Sequence, residues 1–171
     1  MEQKWIVVRI DGKIAAISTD YRQLAAISSQ LAQTHRNGGV SKPAGGKRKG
    51  RKASENCTLY SNITATAVTL EEVLRIRQET QWDDMLLFGT DFQKKVWNAL
   101  KEIPYGETRT YGEIADAVGN PKAARAVGMA NNKNSIGIII PCHRVVGANG
   151  KLVGYAGGMD KKEWLLQLER K

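Results

Sequence analysis

Cys142 is followed directly by His143 in the run Pro141-Cys142-His143-Arg144-Val145. A free thiol, with a pKa of ~8.5, is only a few per cent ionised at neutral pH, so a histidine that takes its proton, directly or through a water, creates a nucleophile. The apolar run Ile136–Ile140 and the proline after it predict a strand that ends at the cysteine and presents it at a turn. Taken alone, the pair favours a plainer reading: a small buried apolar cysteine beside a histidine hydrogen-bonded for structure. Cys57, between Asn56 and Thr58 with no base beside it, reads as structural. Two cysteines and two histidines without paired ligand spacings argue against a zinc module, and no metal or other cofactor is expected.

The elements that must position this pair are read from local signals. Trp5–Ile10 and Lys13–Ile17, joined by Asp11-Gly12, predict an amino-terminal hairpin with a type I′ turn. Leu24, Ile27 and Leu31 predict a short helix over 21–33, and Leu70, Val73, Leu74 and Arg77 on one face predict another over 69–78. Thr90 with Gln93, and Thr110 with Glu113, have the form of capping boxes. They open one helix that ends before Pro104 and another that stops at Gly119. Asn120-Pro121 predicts a restart with Asn as cap, giving a helix-turn-helix candidate whose second helix is small-sided (Ala123, Ala124, Ala126, Gly128, Ala130) around Arg125. Small residues serve tight internal packing or close approach to a partner; an arginine is rarely buried without one. Asp160 with Glu163 predicts the cap of a last helix through Trp164, Leu165 and Leu168.

The fold class expected is α/β (α+β): a small amino-terminal α/β domain over 1–88, then a mainly helical domain over 89–171 that carries the cysteine. The formal charge of +9, with thirteen basic residues on either side of Gly89, favours a polyanionic partner. Residues 37–54 are rich in Gly, Ser and basic residues and include Lys47-Arg48-Lys49-Gly50-Arg51-Lys52, a solvated insertion, a phosphate-contacting arm or a nuclear-import signal. No apolar run reaches the ~20 residues that span a bilayer, and Met1-Glu2-Gln3-Lys4 does not open a signal peptide. The expectation is an intracellular protein that does not engage membranes, nuclear if the basic run is an address and otherwise in the cytoplasm of a prokaryote.

Seven segments in one order add a resemblance: Gly-Thr-Asp-Phe-Gln at 89–93, Ile-Pro-Tyr-Gly-Glu-Thr at 103–108, Thr-Tyr-Gly at 110–112, Asn-Pro-Lys-Ala-Ala-Arg-Ala-Val-Gly at 120–128, Pro-Cys-His-Arg-Val-Val at 141–146, Gly-Tyr-Ala-Gly-Gly at 154–158 and Lys-Glu-Trp-Leu-Leu at 162–166. Residues 89–169 resemble the carboxy-terminal half of the O6-alkylguanine-DNA alkyltransferases, also called methylated-DNA protein-cysteine methyltransferases. The resemblance implies repair of double-stranded DNA by a monomer that moves an alkyl group from O6-alkylguanine, with O4-alkylthymine as a further substrate, onto Cys142 in a single turnover. It makes His143 the base acting through a water, Glu169 the carboxylate that orients it, and Asn134 the brace of the active-site turn. It also assigns DNA contacts to Arg125, which intercalates, to Tyr111, which displaces a phosphate, and to Thr110, Ala124, Ala126 and Gly128. Tyr155, Gly157 and Gly158 are assigned to the base pocket. Thr110 stands where a serine is common, Gly137 where relatives often have proline, and Ala156 where some have serine. Two other classes stay open: a binding-only lesion sensor, disfavoured by the presence of Cys142, and a turnover hydrolase, disfavoured by the helix pair and the charge.

Overall fold

The computed structural model describes residues 5–18 and 63–170. The helix expected over 21–33, the basic run 47–52 and Cys57 lie outside the described residues.

Strand β1 (Trp5–Ile10) pairs antiparallel with β2 (Lys13–Ser18) across Asp11-Gly12, both at positive φ (48° and 81°), the backbone of a type I′ turn. On its other side β1 pairs antiparallel with β3 (Ile63–Val68), an exposed strand not anticipated from the sequence, although Ile63-Thr64-Ala65-Thr66 has the β-branched alternation of one. Helix α1 (Leu70–Glu79) follows, started by a reciprocal capping box between Thr69 and Glu72. Met85 then bridges to Ile14 at the edge of β2 and leads into the helical half.

Helix α2 (Asp91–Lys101) and helix α3 (Tyr111–Ala117) begin at the two expected boxes, with Thr90–Gln93 and Thr110–Glu113 bonds in both directions. Each box satisfies two of the orphan N–H groups of a helix start with atoms three residues apart, which makes it a strong local signal. Helix α4 (Ala124–Asn132) packs against α3 and α2, and the Trp97 indole donates to the Ala130 carbonyl at 3.0 Å. Arg109–Thr110 and Val145–Val146 form a short parallel pair, β4 and β5, and helix α5 (Met159–Glu169) closes the described chain.

Three expectations are corrected. Helix α4 begins at Ala124 with no side-chain cap, because Asn120–Ala123 closes a turn of its own (Ala123 N to Asn120 O, 2.9 Å) and Pro121 sits inside that turn. Helix α5 is capped by Gly158, at φ 98°, and Asp160 lies in its first turn, where a carboxylate favours the positive helix end. The apolar run Ile136–Ile140 is a buried hairpin-like turn, not a strand. Ile140 N reaches Ile136 O (3.0 Å), Ile138 has φ 71°, and Cys142 opens a 3₁₀ turn, Cys142–Arg144. Asn134 decides this, since its side chain bonds both ends of the run and replaces the partners a strand would need.

One apolar cluster runs through both halves, joining Trp5, Ile14, Ile17 and Val73 to Trp97, Val127, Ile136, Ile140 and Leu165. Ser135 Oγ donates to Ala15 O, and Ile17 N to Ser135 O at 2.8 Å, so the sheet edge is laid directly against the segment that leads to Cys142.

Candidate active site

Cys142 is buried, and its sulfur accepts from Asn134 Nδ2 at 3.1 Å, while the same amide donates to Ile140 O at 2.9 Å and Asn134 Oδ1 accepts from Ile136 N at 3.0 Å. Asn134 thus ties the turn and the thiol to one planar group. Burial pushes the thiol pKa up; the Asn134 donor and the nearby Lys162 charge oppose it. Lys162 is wholly buried and donates to Val145 O (2.6 Å) and Val153 O (3.0 Å), which pins the chain on either side of the Ala148–Gly150 turn.

His143 is fully buried, its Nε2 3.0 Å from Glu169 Oε1. A carboxylate there requires the proton on Nε2 and leaves Nδ1 as the acceptor. Nδ1 is buried and has no hydrogen-bond partner among the described residues. Burial lowers the imidazole pKa, against the raising effect of Glu169. The resting pair is therefore a neutral thiol beside a neutral imidazole. Glu169 is itself held by Arg144, whose Nε and Nη2 grip its two oxygens at 2.7 and 2.8 Å, and by Arg77 Nη1 at 3.2 Å. Burial alone would raise this carboxyl; the His143 and Arg144 bonds outweigh it and hold it well below the usual carboxylate range.

Cys142, Asn134, Tyr155, Ala156 and Gly157 line one cleft, together with Asn131, Gly137 and Lys161. Trp5, Ile17 and Ser18 of the hairpin also line it, which no local pattern foretold. Burial, then the neighbouring Cys142, pushes the Tyr155 hydroxyl pKa well up. A side chain at Gly157 would meet the Tyr155 ring at 2.9 Å, so glycine is what lets that ring lie over the loop. Gly158 serves as the cap of α5 beside this lining.

The remaining predicted residues lie on α3 and α4. Tyr111 is half-buried, donates to Val153 O at 3.3 Å and has Lys162 Nζ 5.9 Å from its ring centre. Thr110 caps α3 and Gly128 faces the Tyr111 ring. Arg125 is exposed, one helical turn from Met129, also exposed, while Ala124 and Ala126 are part-buried. The structure thus brings Cys142, Asn134, Tyr155 and Gly157 to one cleft and pairs His143, next to Cys142 in the chain, with Glu169, while Arg125 is exposed on α4. Sequence reasoning gave no site role to Arg77, Arg144, Lys162 or Asn131. Arg144 stood inside the quoted run, and a charged residue in an apolar stretch was the signal that could have found it. Among the described residues no group of three or more His, Cys, Asp or Glu could hold a metal ion, and no helix is long and apolar enough to cross a membrane.

Residues 91–171 match the family described as 6-O-methylguanine DNA methyltransferase, DNA binding domain. A methylated-DNA–protein-cysteine methyltransferase of Methanosarcina acetivorans is 78% identical over 81 residues, 47% of this chain and 52% of the relative. The crystal structure of Mycobacterium tuberculosis OGT in complex with DNA is 65% identical over 50% of this chain and 52% of that one, with a TM-score of 0.50. That of O6-methylguanine-DNA methyltransferase from Pyrococcus kodakaraensis strain KOD1 is 28% identical over 97% of this chain and 91% of that one, with a TM-score of 0.60. The chain spans about half the length of the curated relatives it matches. The α/β fold accords with these structures, and residues 91–171 are similar to the methylated-DNA–protein-cysteine methyltransferases.

Proposed function

We propose that the protein repairs double-stranded DNA by moving an alkyl group from the O6 of guanine to Cys142, once per molecule. The observation that carries this reading is the buried His143–Glu169 pair directly after Cys142 in the chain, in which Glu169 holds Nε2 and leaves Nδ1 free to accept a proton. The Cys142 proton passes to His143 through a water; the thiolate attacks the alkyl carbon; the carbon–O6 bond breaks; and a proton returns to the departing guanine. A thiolate formed in a desolvated cleft is a strong nucleophile, and the thioether it becomes has no leaving group, so the protein is consumed. O4-alkylthymine offers the same electrophilic carbon on an exocyclic oxygen and is a second substrate of this chemistry.

A base inside a duplex cannot reach a buried sulfur and must be flipped out at a cost of a few kcal/mol. Helices α3 and α4 form the helix-turn-helix that does this. Arg125 fills the space left in the stack, Tyr111 and Thr110 meet the backbone beside the flipped nucleotide, and Ala124, Ala126 and Gly128 let α4 lie in the minor groove. Gly128 supports this directly, because a methyl there would approach the Tyr111 ring only to 3.6 Å, so internal packing does not require glycine in mid-helix. Tyr155 and Gly157, with Gly158 behind them, receive the base. The protein acts as a monomer of two units, 1–88 and 89–171, without a cofactor, and its prokaryotic relatives favour the cytoplasm over the nucleus.

The test is incubation with duplex DNA that contains O6-methylguanine, followed by peptide mapping. One methyl mass on the Cys142 peptide, in a yield that saturates at one per protein, is expected. DNA binding with an unmodified Cys142 peptide identifies a lesion sensor instead, and several product molecules per protein a turnover enzyme.

A further inference from the structure

Arg77 lies outside the matched segment, on α1, yet its guanidinium reaches Glu169 Oε1 across 92 positions of sequence. The same oxygen accepts from His143 Nε2 and from Arg144 Nη2. Arg77 and Arg144 both lie against the Tyr105 ring, 5.3 and 5.6 Å from its centre, and the Tyr105 hydroxyl donates to Leu168 O on α5. Among the described residues, the charged groups that bear on His143 are Glu169 from α5, Arg144 from its own turn and Arg77 from α1. One carboxylate faces two guanidiniums, so the cluster already carries one net positive charge before His143 takes a proton.

We propose that Arg77 is a positioning residue of the proton relay, through which the amino-terminal half holds Glu169 in place and keeps His143 neutral, ready to accept the thiol proton. Arg144 alone satisfies both oxygens of Glu169 in bidentate fashion, so a second arginine is not needed to neutralise the carboxylate. What Arg77 adds is positive charge next to an imidazole that must stay unprotonated. A like charge within a few ångströms disfavours the protonated form, and the burial of His143 acts in the same direction. The arrangement also ties the competence of the relay to the docking of α1, since loss of that docking removes Arg77 from Glu169.

The inference rests on the relay proposed above, so its test reads the imidazole itself. Substitution Arg77→Met removes the charge and keeps much of the stem; Arg77→Lys keeps the charge. In NMR titrations of the full chain, His143 is expected to protonate at higher pH in Arg77→Met than in the parent, with Arg77→Lys close to the parent. Single-turnover methyl transfer is expected to show its acid limb displaced upward in Arg77→Met, and a rate at pH 6 reduced roughly three- to tenfold. An unchanged or lowered His143 midpoint in a folded Arg77→Met protein overturns the proposal. A raised midpoint in a protein that transfers no methyl group leaves Arg77 as the charge that sets His143 and overturns the alkyl-transfer reading alone. Near-ultraviolet circular dichroism of each variant checks the fold, and a parent-like midpoint in both variants also overturns the proposal.

Discussion

Asn134 and Cys142 share one hydrogen bond, Nδ2 to Sγ at 3.1 Å, and the amide that makes it also closes the turn that delivers the cysteine. Placement of the thiol and tuning of its acidity are thus vested in a single side chain.

Asn134→Ala removes the bonds to Ile136 N, Ile140 O and the sulfur together, leaving buried backbone groups without partners. We expect a loss of about 2 kcal/mol in urea denaturation. The thiol should titrate still higher, because the Asn134 donor opposes the burial that raises it. The pH dependence of iodoacetamide labelling measures this, and an unshifted labelling profile contradicts the role.

Lys162 is a buried cation bonded to two carbonyls. Lys162→Met should cost roughly 1–3 kcal/mol of stability, since its aliphatic volume is kept and only the polar bonds are lost. It should also slow labelling of Cys142 near neutral pH, because the nearby positive charge that favours the thiolate is gone. Thermal melts and the same labelling assay report the two effects separately.

The pH dependence of stability has a definite sign. His143 protonates less readily folded than unfolded, so as pH falls through the ordinary histidine range the unfolded chain takes up a proton that the folded one refuses, and stability declines. Glu169 acts in a lower window: its depressed pKa contributes stability above the ordinary carboxylate range, lost as pH falls toward its folded value. Chemical denaturation of the parent and of His143→Asn, compared from about pH 7.5 to about pH 5.5, should show the gap between them narrowing toward acid. A constant gap would mean that His143 titrates alike in both states.

Gly128→Ala should raise fold stability by about 0.5–1 kcal/mol, since alanine is the better helix former and the methyl has room beside Tyr111. The same change should weaken binding to duplex DNA, seen as reduced fluorescence anisotropy at fixed concentration. Improved stability with unchanged affinity separates α4 from the groove.

Arg125→Ala removes an exposed side chain and should leave the melting temperature and Cys142 labelling unchanged. Transfer from duplex DNA should slow, and transfer from the free base O6-methylguanine should not. Equal slowing on both substrates would place the effect in the cleft and not in base flipping.

The sequence by itself determined the elements whose signals are local. The hairpin turn at Asp11-Gly12 and the boxes at Thr90 and Thr110 each join atoms within four positions, so the pattern and the bond are read together. The motif order also placed Cys142 and His143 within a recognisable segment. Where a local signal competed with a distant one, the reading failed: Ile136–Ile140 has strand composition, but Asn134 and the edge of β2 fold it into a turn. Glu169, 26 positions from His143, was named by the resemblance alone, and only the tertiary structure decided which further charges meet it: Arg144 grips both its oxygens, and Arg77 reaches it across 92 positions. Buried charges are stable only as satisfied sets, and the members of a set are chosen by proximity in space, which no spacing along the chain records.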